Sequence, residues 1–182
     1  WAKIADAAEV LNRVDIRIDD IPLLSVADMN AKCRRIDDLA LVVIDYLQLM
    51  TSATGKVNDN RVTAVGEISR ALKIMAKELN VPVICLSQLS RAVEKQGNNS
   101  SHRPQLSDLR DSGSIEQDAD CVLFLYRDSY YASQNPDGAE VDADTAECIV
   151  AKNRHGETGK VELRCMPEYT TFGTLERRYE DE

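Results

Sequence analysis

The stretch Leu41-Val42-Val43-Ile44-Asp45-Tyr46-Leu47-Gln48-Leu49-Met50 decides how this chain folds. Apolar, mostly β-branched residues run from Leu41 to Ile44 with no polar alternation, then meet a carboxylate. A strand that wants both faces buried belongs in the middle of a parallel sheet with helices on either side. Ligands of such sheets bind just beyond the carboxyl ends of the strands, where Asp45 stands. A hard carboxylate there can hold Mg²⁺ beside a nucleotide phosphate, directly or through water. The same run also reads as a plain core strand whose terminal Asp caps the next turn.

The 182 residues suffice for one ordinary domain with its own core. Hydrophobic content of 43% with 29% charged residues describes a soluble globular chain. No apolar run approaches a membrane span, and the opening residues do not read as a signal peptide. Trp1-Ala2-Lys3-Ile4 starts inside a helical pattern without Met, so the expectation is a fragment of a longer protein. A net charge of −9 argues against a broad basic surface, and any nucleic-acid contact must rest on a few arginines or backbone N–H groups. Cys33, Cys85, Cys121, Cys148 and Cys165 are scattered, form no C-x-x-C pair and read as buried free thiols of a reducing compartment.

Outward from the opening stretch, Ile4, Ala7, Ala8, Leu11 and Val14 predict a first helix, and the alternation Asp15–Asp19 a short edge strand. Ser25-Val26-Ala27-Asp28 resembles a capping box opening a helix striped by Val26, Met29, Cys33 and Ile36, with Arg34 and Arg35 off the stripe. The polar run Thr51–Asn60 predicts a loop whose Lys56, with Arg61 just beyond, can meet an anion or simply be solvated. Val65, Ile68, Leu72, Met75 and Leu79 then stripe a long helix, with Arg70, Lys73 and Lys77 facing away. Val81–Leu86 predicts a second buried strand and Cys121–Tyr126 a third. Ala92–Pro104 and Tyr130–Thr145 read as polar loops. Ala146–Lys152 and Lys160–Cys165 predict an antiparallel hairpin, with Tyr169–Leu175 as an edge element. The class is α/β.

Three strand ends carry candidates for one site. Asp45 ends the first strand, Gln88 follows the second, and Lys152 and Arg154 close the fourth at the turn Asn153-Arg154-His155-Gly156. Lys-x-Arg puts both cations on one side of an extended chain, where they can neutralise a γ-phosphate or be a solvated basic turn. An amide such as Gln88 can sense a phosphate oxygen or an attacking water, or merely cap the backbone. Arg110-Asp111-Ser112-Gly113 is suited to contact a nucleic-acid strand through backbone N–H groups, while Ser114-Ile115-Glu116-Gln117 also reads as an ordinary helix start.

In combination, Leu41–Met50, Glu67–Lys73, Val81–Arg91, Ser107–Asp120 and Ala151–Gly159 closely resemble consecutive motifs of the DnaB family of bacterial replicative helicases. The resemblance runs from Trp1 to Glu176-Arg177-Arg178, nearly the whole chain. It implies a RecA-like ATPase domain: a largely parallel sheet flanked by helices, with a C-terminal antiparallel hairpin, incomplete on its N-terminal side. It implies ATP and Mg²⁺ as cofactors, with Asp45 as the Walker B carboxylate and metal ligand and Gln88 as the γ-phosphate sensor. Lys152 and Arg154 would reach into the neighbouring subunit's ATP site, Arg154 as the finger. Arg110, Asp111 and Gly113, with help from Arg91 and the Thr51–Arg61 loop, would touch single-stranded DNA. The implied partners are a homo-hexameric ring, a primase and a helicase loader, with no membrane, in the cytoplasm of a bacterial or phage-infected cell.

The sequence departs from the family pattern in places. It contains no G-x-x-x-x-G-K-[ST] phosphate loop, so the 182-residue chain alone is not expected to hydrolyse ATP. Asp111 stands where Glu is more usual, and His155 and Glu157 where Asn and Pro are common. The rival readings are a recombinase-like RecA-type ATPase and a non-catalytic scaffold of the same fold.

Overall fold

The structure, a computed structural model, describes residues 1–51, 61–89, 103–132, 142 and 144–175. In chain order it contains α1 (Ala2–Asn12), α2 (Val26–Cys33), β1 (Val42–Ile44), α3 (Arg61–Leu79), β2 (Val83–Cys85), α4 (Gly113–Asp118), β3 (Cys121–Tyr126), α5 (Asp128–Ala132), β4 (Thr145–Asn153), β5 (Gly159–Met166) and β6 (Thr171–Thr174). Single turns of 3₁₀ helix follow β1 at Leu47–Leu49 and β5 at Pro167–Tyr169, and a longer one, Leu106–Ser112, runs straight into α4.

The opening stretch forms the strand it predicts, shortened to β1. It pairs in parallel with β2, Val42 opposite Val83 and Ile44 opposite Cys85. The crossover between them is α3, whose apolar stripe lands inward: Val65, Ile68, Leu72 and Met75 are buried with Ile44, Leu47 and Val26 in one cluster. Asn80, at φ 53°, turns the chain out of α3 and into β2. Ser25 caps α2 as expected, its hydroxyl accepting the Asp28 N–H at 3.2 Å.

The second layer is an antiparallel sheet in the order β3-β4-β5-β6. β3 alternates: Val122, Phe124 and Tyr126 are buried, while Cys121, Leu123 and Leu125 face out. Val122 and Phe124 form a second cluster with Leu109, and Ile115 of α4 packs against both clusters. The predicted hairpin is thus part of a four-stranded sheet, and among the described residues parallel pairing is confined to β1–β2 and an isolated Ser25–Thr51 bridge.

Several expectations change. Asp15–Asp19 is not a strand, and Ile16 and Ile18 are exposed. An alternating stretch becomes a strand only where a neighbour takes its hydrogen bonds, and among the described residues none lies alongside. The opening stretch was expected to bury both faces, yet Val43 and Ile84 are exposed opposite α3. Lys73 and Arg34 do not simply face solvent: Lys73 pairs with Asp120, and Arg34 with Glu78 at 2.8 Å. The cysteines are free, but Cys121 is exposed rather than buried.

Candidate functional site

The carboxyl ends of β1 and β2 lie side by side. Leu86 N donates to Ile44 O at 2.9 Å and Leu47 N to Leu86 O at 2.9 Å, so the ladder continues past both strands. Asp45 and Gln88 therefore share one rim. Asp45 is exposed, and among the described residues its carboxylate takes no hydrogen bond or ion pair. Gln88 is held through its backbone by Gln48, whose Nε2 donates to Gln88 O and to Ser87 Oγ, both at 3.0 Å, while its Oε1 accepts Gln88 N at 3.3 Å. That clamp leaves the exposed Gln88 side chain uncommitted. Gln48 was missed from sequence, although a lone amide in the apolar run Tyr46–Met50 was a signal.

Lys152 and Arg154 stand elsewhere. β4 runs antiparallel to β3, so its carboxyl end lies beside the start of β3, with Asn153 opposite Cys121. The strand-end rule for parallel sheets does not apply there, and the expectation that all four side chains line one rim of one sheet is not met. A β-bulge falls at this point: Val122 opposes Lys152, but Leu123 opposes Val150. The extra residue shifts parity and sets Lys152 against the inward-facing Val122, toward α4. Lys152 Nζ donates to Glu116 O and, at 2.7 Å, to Ala119 O. Arg154 Nη2 donates to Gln117 O at 3.1 Å, and Nη1 lies 3.3 Å from Asp120 Oδ1. Cations suit this place because the last carbonyls of a helix have no intrahelical partner.

Asp120 also binds Lys73 of α3 through Oδ2. Its carboxyl is held below its ordinary value, chiefly by the Lys73 hydrogen bond, then by the charges of Lys73, Arg154 and His155. The turn that carries Arg154 is shaped by Asn153: its Oδ1 accepts His155 N at 3.3 Å, and a Cβ on Gly156 would stand 2.6 Å from its Nδ2. Sequence reasoning missed Asp120 as the shared partner of Lys73 and Arg154, since nothing in their spacing joins them.

Arg110, Asp111 and Gly113 fall at the junction of the 3₁₀ turn and α4, with their side chains outside the described ones. Arg91 and Lys56 lie outside the described residues. α4 rests on α3 through Gly66, where an added Cβ would meet Ser114 Oγ at 2.9 Å. Ser114 thus contacts Gly66, and Asp120 contacts Lys73. Seven residues of α3 separate these contacts, about 10 Å along its axis. Because α3 runs into the start of β2, the Gly66 end of α4 lies nearer the Asp45–Gln88 rim and the Arg154 end farther from it.

The residues suit a magnesium nucleotide. An exposed, unpaired carboxylate is the hard oxygen donor Mg²⁺ takes, and Mg²⁺ is held by one or two carboxylates plus phosphate and water, not by an all-protein cage. Among the described residues no cluster of three or more His, Cys, Asp or Glu side chains forms such a cage. Beside this rim, burial pushes the Cys85 thiol up to about 11, away from the thiolate form.

An α/β core with carboxylate and amide at adjacent parallel strand ends, joined to an antiparallel sheet, is the architecture of a RecA-like helicase ATPase domain. Comparison supports the class. A solved ATPase domain superposes with a TM-score of 0.84 at 42% identity, over 97% of this chain and 60% of that one. A solved structure described as a DnaB-like replicative helicase and its interactions with primase does so with a TM-score of 0.84 at 43% identity, over 97% and 42%. Residues 1–174 match the DnaB-like helicase C terminal domain family, and the chain belongs to it. It is 48% identical to the replicative DNA helicase DnaB of Geobacillus stearothermophilus and 48% identical to the replicative DNA helicase DnaC of Bacillus subtilis. In both cases all of this chain is covered, yet it spans only 38% of the relative's length.

Proposed function

We propose that this chain is the C-terminal part of the motor domain of a replicative DNA helicase. Residues 1–182 form part of a single domain that an upstream segment completes. The exposed apolar residues Val43 and Ile84 of the parallel pair, and Leu123 and Leu125 of β3, are what that segment would cover. The parent couples ATP hydrolysis to translocation on single-stranded DNA and to strand separation, as a hexameric ring that a primase and a loader engage.

One observation carries the reading. Asp45 and Gln88 share a rim, whereas the partly buried Lys152 and the nearly half-exposed Arg154 sit at the far end of α4. A site with both sets then needs two copies, arranged head to tail. Bound Mg²⁺·ATP supplies the reacting phosphate and its counter-ion. Asp45 would hold the ion, and Gln88 would offer its amide to a γ-phosphate oxygen or the attacking water. Lys152 and Arg154 of the adjacent subunit neutralise charge developing on the phosphate. Arg110, Asp111 and Gly113, with Arg91, contact the DNA backbone, a mode that tolerates an acidic protein.

The test uses a full-length version. Asp45→Ala and Arg154→Ala are each expected to cut ATP turnover about a thousandfold. Rings mixed from the two variants recover part of the activity, because some interfaces then pair an intact Asp45 with an intact Arg154. No recovery would sink the trans arrangement. The 182-residue chain alone is expected to show no magnesium-dependent turnover; turnover lost on Asp45→Ala would overturn that expectation.

A further inference from the structure

Arg154 is not a loose surface cation. Its guanidinium is tied by Nη2 to Gln117 O at 3.1 Å and by Nη1 to Asp120 at 3.3 Å, and its own N–H donates to Asp120 O at 2.8 Å. Lys152 is tied to the same helix end through Glu116 O and Ala119 O. Asp120 is the joint. It follows α4, precedes β3, and splits its carboxylate between Lys73 of α3 and Arg154. α3 is the long helix of the core, with Met75 fully buried two residues further on, so the Lys73 anchor is itself fixed. Only one of the five guanidinium N–H donors is engaged in a hydrogen bond, to Gln117 O, and the Asp120 contact is an ion pair. The others remain for an incoming oxygen, and the Arg154 side chain keeps 46% of its exposure.

We infer that Asp120 is a positioning residue: with the carboxyl end of α4 it forms a dock that sets the direction in which Lys152 and Arg154 leave the subunit. The inference rests on the reading of those two as cations for a neighbour's ATP. α4 is six residues, about 9 Å long. Its first residue is Gly113, in the stretch assigned to DNA, and its last turn carries the dock. The dock and the stretch assigned to DNA are thus the two ends of one short helix. Gly66 keeps that helix seated on α3.

The test measures ATP turnover of the full-length ring at saturating single-stranded DNA for Asp120→Asn, Asp120→Glu and Arg154→Ala. Asp120→Asn keeps size and removes charge, so Arg154 loses its ionic tie and wanders. A misplacement of about an ångström costs tenfold to a hundredfold, so kcat is expected to fall about tenfold or more while KM for ATP stays within about twofold. Asp120→Glu retains the carboxylate and recovers most of the loss. If Arg154→Ala abolishes turnover but Asp120→Asn leaves kcat unchanged or raises it, the dock is overturned and the finger stands. If Arg154→Ala is itself silent, the finger reading falls, and the dock with it. Should Asp120→Asn rings fail to assemble, Lys73→Gln removes the other arm of the carboxylate. The same loss in kcat alone supports the dock, and unchanged kcat overturns it.

Discussion

The parallel pair β1–β2 and the antiparallel sheet β3–β6 are made of similarly apolar strands, but different contacts hold them. β1 and β2 are three residues each and meet only because α3 bridges them and buries Ile44 against Val65, Ile68 and Met75. The antiparallel strands are longer, and β4 and β5 are joined by one short turn whose shape Asn153 and Gly156 define. Closing a long crossover costs more chain entropy than closing a tight turn. The parallel pair therefore depends on α3, whereas the β4–β5 hairpin carries much of its own order. The division also separates chemistry: carboxylate and amide belong to the first region, the cation pair to the second, and α4 with Asp120 joins them.

The largest effects are expected from truncating each core. Phe124→Ala in the antiparallel core and Met75→Ala in the α3 core should cost about 3–5 and 2–5 kcal/mol respectively. Both are measured by urea unfolding followed by circular dichroism. Because Ile115 packs in both clusters, each variant should shift one common transition. Two separated transitions would break the view that α4 makes the regions one body.

Thiol labelling sharpens the contrast between faces. Cys121 is exposed on the outward side of β3, so a thiol reagent should modify it first in this chain. Cys85 should lag about a hundredfold, the loss of thiolate when a thiol is pushed from 9.0 to about 11. In a full-length version Cys121 should become protected as well. Rapid labelling there would mean that no upstream segment covers this side.

The smallest expected effect is on pH. The lowered folded-state value of Asp120 contributes stability that is present above its ordinary 3.8 and lost as pH falls through the lower folded value. The melting temperatures of the chain and its Asp120→Asn variant should therefore differ by a constant small amount near neutrality and begin to converge as pH falls below about 3.8. The amount is small because Asp120 and Arg154 are each nearly half exposed. A difference that does not shrink at all as pH falls below 3.8 would remove the ionic tie from the account of the dock.

Much of the fold was legible residue by residue. The stripe Val65-Ile68-Leu72-Met75 has helical period and is buried as that period requires. β3 to β6 follow apolar runs separated by turn residues, and Ser25 announced its cap. Asp15–Asp19 misled because period-two patterning states which side chains share a face but not whether another backbone lies alongside. Arg34 with Glu78 and Lys73 with Asp120 were illegible for a related reason: long charged side chains are chosen by whatever packing brings near, across more than forty residues of chain.

Sequence by itself determined the class, the family and the identity of the candidate side chains, because periodicity and motif are local properties of a chain. Tertiary structure alone decided how those side chains are grouped. The reversal of β4 against β3, and a bulge that turns Lys152 toward α4, follow from strand pairing and helix packing that no spacing encodes. They place Arg154 against Asp120 and the carbonyls of α4, in a different sheet from Asp45 and Gln88.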